Sequence, residues 1–226
     1  MVLSLITLAA TVPLIATSTL SLQDQAQRQQ EQHGSGAPES WRTLKHHLKV
    51  RASARAPFDE RMLFMTARMV LRDGFLYVEV EPWDESSLHP FTGYFLPYPE
   101  KGYDGLVTTI SKDPPMLNWV YLDPVTLRIR HGTRAVADSD DNVTGPFDAK
   151  TMSATGDMCT TLEGWQGFIA AETDEPGLWA LMFDRNDDGL KGKVDSRFRT
   201  VEVELVREQI EGEEPKVLVT RTAASS

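Results

Sequence analysis

One cysteine, Cys159, is all the thiol chemistry in this 226-residue chain. A lone cysteine forms no intramolecular disulfide and excludes Cys-based zinc sites and dithiol redox motifs, and it points to a reducing compartment. An excess of positive charge is also missing. The chain has 23 Lys and Arg against 33 Asp and Glu, a formal net charge of -10, with a pI near 5.0. That balance favours solubility and argues against a partner made of nucleic acid phosphates. No G-x-S-x-G elbow, P-loop, dinucleotide glycine fingerprint or H-E-x-x-H occurs. Five histidines and many carboxylates are still free to converge in space, so the missing templates weaken an enzyme reading without removing it.

What is present fits an ordinary domain. With 41% apolar and 25% charged residues, the chain can build one substantial core. Residues 1–40 read as an apolar, then Gln-rich segment and linker, and residues 41–222 as a β-rich globular domain. The first 23 residues carry no charged side chain, and Val2 to Ile15 form an apolar stretch ending near Ala16-Thr17-Ser18. It is shorter than the about 20 apolar residues of a membrane span. It reads as a signal-peptide core or as a helix continuing through Gln23 to His33. The missing basic n-region and the lone cysteine favour an intracellular protein that keeps this helix. Secretion after cleavage is the rival, and the sequon Asn142-Val143-Thr144 would matter only then. Residues 41–55 are basic without an acid, as in a solvated strand or a segment making peripheral membrane contact.

Strand patterns dominate the rest. Met62 to Leu71 and Phe75 to Glu81 flank Asp73-Gly74, a strong hairpin signal, with Leu76, Val78 and Val80 expected inward and Tyr77, Glu79 and Glu81 outward. The proline- and aromatic-rich residues 89–99 read as an edge or ordered loop. Tyr103 to Ile110 reads as a short helix. Asn118 to Leu122 and Leu127 to His131 form a second hairpin pattern, followed by strands over Trp165 to Glu172, Leu178 to Phe183, Arg199 to Val206 and Lys216 to Arg221. The fold expected is mainly β, a single antiparallel sandwich or barrel of about eight or nine strands behind an N-terminal helix or apolar tail. Trp119 or Tyr121, Trp165, Leu178, Ala180 and Met182 are expected in its core.

The one chemically suggestive spacing lies between two strand patterns. Asp184, Asn186, Asp188, Gly189 and Asp195 occupy positions one, three, five, six and twelve of the D-x-[DN]-x-[DN]-G-x5-E calcium pattern, with Asp for the final Glu. Alternate residues of a tight turn can aim oxygens at one hard cation. The flanks lack helices, Lys191 and Lys193 sit inside the loop, and Asn-Asp-Asp-Gly is also ordinary turn chemistry. Asp184, Asn186, Asp188 and Asp195 are thus the candidate metal ligands, calcium the only cofactor considered, and a charged turn the competing reading.

The segments VLRDG, HPFTGYFLPYP, GLV-TI, DPP-NWVYLD, EGWQGFIA and PGLWALMFDRNDDGL, in this order, resemble a family of hypothetical proteins that recurs in filamentous fungi. The resemblance covers about residues 68–195. It carries no activity and no catalytic residue, and it implies that Trp119-Val120-Tyr121, Gly164-Trp165 and the Asp184 loop are family features.

The leading functional expectation is a non-enzymatic β-rich binding or interaction protein holding a small molecule or a protein partner in its sheet interior or aromatic rim. One alternative is a small-molecule enzyme of isomerase or cyclase type in fungal secondary metabolism. Another is a calcium-stabilised structural module. Glu163 and Glu172 are available as acid and base, though no spacing selects them, and Cys159 reads as a packed thiol. An enclosed cavity with convergent titratable groups would favour the enzyme; a filled interior would favour binding.

Overall fold

The computed structural model describes residues 41–81, 88–112, 115–139 and 141–210. They fall in one compact unit, 35–226; the other, 1–34, lies outside the described residues, as do the expected N-terminal helix and the Lys216 to Arg221 strand.

The first hairpin forms where Asp73-Gly74 predicts it. Strands β2 (Arg68–Arg72) and β3 (Phe75–Glu79) meet with Arg72 opposite Phe75, leaving a two-residue loop. Asp73 and Gly74 take φ of 52° and 80°, the left-handed pair that matches the strand twist. The preceding residues depart from expectation. Phe58–Leu63 is a short helix, α1, entered through Pro57 and Asp59-Glu60, so Met62 and Leu63 do not extend the strand. Its side chains Phe58 and Met62 stay exposed, as does Met65 just beyond it, while its C-cap residue Phe64 anchors it to the core.

Two further expectations are corrected. Tyr103 to Ile110 is not a helix: Asp104–Lys112 is strand β6, rich in the β-branched Val107, Thr108, Thr109 and Ile110. Residues 89–99, expected as an edge or an ordered loop, are an edge only in part, through β4. They supply β4 (His89–Pro90) and β5 (Gly93–Pro97), which pairs with both β6 and β1 (His46–Ala52). The prolines end these strands instead of interrupting them.

The remaining strands are β7 (Pro115–Leu122), β8 (Ile129–Gly132), β9 (Phe147–Thr151), β10 (Met158–Leu162), β11 (Phe168–Glu172), β12 (Leu178–Phe183) and β13 (Thr200–Gln209), with one more short helix, α2 (Arg134–Ala137). The ladders form a closed antiparallel ring of nine strands, β1-β5-β6-β7-β8-β3-β12-β11-β13, joined through β13 to β1. Within it lies a threefold plan. β1, β5, β6, β9, β10 and β13 follow one another as neighbours around a barrel. The hairpins β2–β3, β7–β8 and β11–β12 form a cap over one end. There the inner strands meet pairwise: Phe75 opposite Arg130, Ala180 opposite Tyr77, and Arg128 bridged to Met182. Each third of the chain thus contributes two barrel strands and one cap hairpin.

The alternation of β1, with His46, Leu48, Val50 and Ala52 buried, and of β13, with Val201, Val203 and Leu205 buried, fills the barrel. Phe95, Leu106, Phe147 and Leu162 complete it, and Val78, Val120, Leu181 and Phe183 continue the core under the cap. Of the expected core residues, Trp119, Tyr121, Leu178, Ala180 and Met182 are buried and Trp165 is half-buried. The outward face of β3 is not solvated as its pattern suggests: Tyr77 joins Val70, Leu178 and Ala180 in a second apolar cluster. Glu79, also buried, receives a hydrogen bond from Arg68 across the hairpin.

Candidate functional site

The Asp184 loop is a folded turn. The Asp184 carboxylate is buried and accepts the backbone N–H groups of Asp188 at 3.1 Å and Gly189 at 2.6 Å. Asp188 accepts the N–H of Lys191 at 3.2 Å. Asp195 accepts that of Arg197 at 3.1 Å and pairs with its guanidinium. Lys193 donates to the carbonyl of Val125 at 2.8 Å instead of to a loop carboxylate. Asn186 is exposed. Among the described residues no three His, Cys, Asp or Glu side chains form a group suited to a metal ion, so Asp184, Asp188 and Asp195 do not come together as one.

The other candidate acids are committed to arginines. Glu163 takes Arg185 through Nε at 2.8 Å and Nη2 at 2.6 Å, and Glu172 takes Arg199 in the same bidentate way. Arg199 holds the Glu172 carboxyl below its ordinary range. Cys159 is fully buried, and burial followed by the nearby Glu204 pushes its thiol up to about 11, far from a nucleophile's range.

Three places hold groups that pairing leaves over. The first is an open cleft of about 220 Å³ lined by Leu71, Arg72, Asp73, His89, Ile110 and His131. The amide of Asn118 donates to His131 Nδ1 at 3.0 Å, which leaves the proton on Nε2, an atom with no acceptor among the described residues. Burial, then His89 and Arg130, lowers the His131 pKa to about 4, so the ring is neutral at physiological pH.

The second is the barrel end opposite the cap. His46 points inward from β1, stacked on Phe95 at 5.8 Å. Burial, then Arg207, lowers its pKa to about 3. Arg207 lies above the rings of Trp41 and Phe95, beside Arg42, and burial and that neighbour lower its pKa to about 10.

The third is the outer face of the cap, where β2, β3, β8 and the residue just before β8 bring three guanidiniums over two rings. Arg128 lies 4.0 Å from the Phe75 centroid and 5.1 Å from that of Tyr77; Arg130 lies 4.7 Å from Phe75, and Arg72 5.1 Å from Tyr77. Arg72 is paired with Glu175, and Arg130 with Asp123 at 3.5 Å. Among the described residues the Nε and Nη2 of Arg128 have no hydrogen-bond acceptor, and both atoms are shielded from solvent. Sequence reasoning passed over this face because its rings and cations come from separate stretches. Only the register of β3 on β8 joins them, and the visible signal was the alternation of Arg128 and Arg130 with Leu127 and Ile129.

No curated protein and no solved structure matches this chain. A family model does: that of the fungal beta-trefoil domain, over residues 19–211. Three pairs of barrel strands under three cap hairpins are the plan that description names, and it agrees with the resemblance to a fungal family. The chain belongs to the fungal beta-trefoil domain family.

Proposed function

We propose that this chain is a non-enzymatic binding or interaction domain that works through side chains displayed on its surface. The observation that supports this most is the filled interior: Val50, Val120, Leu181, Phe147 and Phe183 are at most 1% exposed and occupy the barrel and the space beneath the cap. Small apolar ligands are taken up in preformed concave sites, and of the four expected rim aromatics Phe91, Phe95 and Tyr98 are buried and Tyr94 is half-buried against the Tyr98 cluster. Membership of a family described by its domain architecture agrees with a binding role.

The enzyme reading, of isomerase or cyclase type, rests on the cleft, where His89, His131, Arg72 and Asp73 converge. The two readings separate when the domain is incubated with an extract of its host and both retained and free fractions are analysed by mass spectrometry. A partner retained chemically unaltered is the expected result. A metabolite converted by the wild type and left intact by His131→Ala and His89→Ala would replace binding with catalysis.

A further inference from the structure

The geometry points to a membrane-docking surface on α1: Phe58, Met62 and Met65 enter the headgroup region of an anionic bilayer while the arginines beside them meet its headgroups. The inference goes beyond the binding reading above and does not depend on it. It begins with which side of the helix is apolar. Phe58 and Met62 lie one α-helical turn apart, and the N–H of Met65 closes onto the Met62 carbonyl at 3.2 Å, a tighter turn that sets Met65 beside Met62. The three side chains therefore form one stripe. Phe64 and Leu63 take the opposite side, against the core. A surface helix ordinarily turns polar residues outward, yet here Phe58 is 70% exposed, Met65 52% and Met62 47%. The described residues expose six large apolar side chains, and half of them are in this stripe; Met116, Val125 and Val136 lie apart on other segments. Such clustering marks an interaction surface.

Charge selects the partner. Residues 41–72 hold eight Lys and Arg against two Asp and Glu, a basic stretch in a chain of net charge -10. Arg42, Arg51, Arg68 and Arg72 are paired with acids of the fold. Those on α1 and just before it are freer. Arg61 lies 5.9 Å from the Phe58 ring and has no ion pair among the described residues. Arg55 is 87% exposed and reaches Glu202 only at 3.9 Å. The two acids of the helix, Asp59 and Glu60, act on Arg199, which is also paired with Glu172. Helical spacing puts Asp59 and Arg61 on opposite flanks of the stripe. Lipid fits this arrangement better than a protein groove, because an arginine beside an apolar tip can lay its stem along the ring and keep its guanidinium among the headgroups. One short stripe with two available cations gives weak, reversible docking.

The test is flotation of the full chain with phosphatidylcholine vesicles and with vesicles of phosphatidylcholine and phosphatidylserine in equal parts. Binding to the anionic vesicles, and much less to the neutral ones, is the expected result. Phe58→Ser should weaken it at least about tenfold, and Arg61→Gln about fivefold, the fold of each being checked by a thermal melt. A second measurement needs no variant: a nitroxide on the lipid acyl chain should broaden the methyl NMR resonances of Met62 and Met65 and spare those of the buried Met69 and Met182. No flotation with either vesicle, equal binding to both, or binding that survives Phe58→Ser overturns the inference. So does a stripe that, without floating, pairs two copies of the chain or retains a protein from extract, either effect being lost in Phe58→Ser. A partner retained from extract equally by wild type and Phe58→Ser, with no flotation, sinks this surface and leaves the binding reading standing.

Discussion

The carboxylate of Asp184 accepts the backbone N–H of Gly189 at 2.6 Å, closing the turn between β12 and β13 from the inside. Asp184 is only 5% exposed and also holds the N–H of Asp188, so it satisfies donors that the turn would otherwise leave unpaired. Asp184→Ala should therefore cost about 1–3 kcal/mol, and Asp184→Asn, which keeps one acceptor oxygen, less. Chemical denaturation of both variants measures this. The same samples address calcium. We expect the wild-type melt to coincide in millimolar calcium and in chelator; an upward shift that Asp188→Ala or Asp195→Ala removes would establish a shared cation.

Gly93 lies where β5 pairs with both β1 and β6. A Cβ there would stand 2.2 Å from the Val107 carbonyl and 2.5 Å from the Phe91 ring, and neither backbone nor a buried ring can retreat. Gly93→Ala should destabilise the fold by about 3 kcal/mol or prevent folding. At Gly102 an added Cβ meets nothing within 4 Å, so Gly102→Ala should be near neutral. Expression level and melting temperature of the pair check this.

His46 predicts a pH dependence. Its pKa falls from 6.5 to about 3 on folding, so between those values the unfolded chain binds the extra proton and stability rises with pH. Acidification from about pH 6.5 to about pH 5 should remove roughly 2 kcal/mol through this one imidazole. Glu172 and Glu175, whose pKa values lie below the ordinary 4.5, lose their contribution only at lower pH. Urea midpoints across this range should show the slope, and His46→Gln should flatten it.

Local chemistry was enough for part of this architecture. Asp73-Gly74 defines the first hairpin because a two-residue loop needs two left-handed residues, and alternation in β1, β3, β12 and β13 marks strands because side chains switch faces at each step. The Asp184 spacing was visible as a carboxylate-rich turn. Whether its oxygens face a cation or the turn's own N–H groups is a matter of backbone path, which spacing does not contain.

Sequence reading failed where a residue's role depends on what lies across from it. Tyr103 to Ile110 looked helical, yet it gains its partners as a barrel strand between β5 and β7. The outward face of β3 looked solvent-bound until β12 supplied Leu178 and Ala180 to cover Tyr77. The sequence by itself determined a mainly β chain with a packed core, a lone cysteine and an acidic charge balance. Tertiary structure alone decided the threefold closure, the inward turn of His46 and the seating of Arg128 on Phe75. These rest on long-range strand register, a property of pairs of segments that neither segment encodes alone.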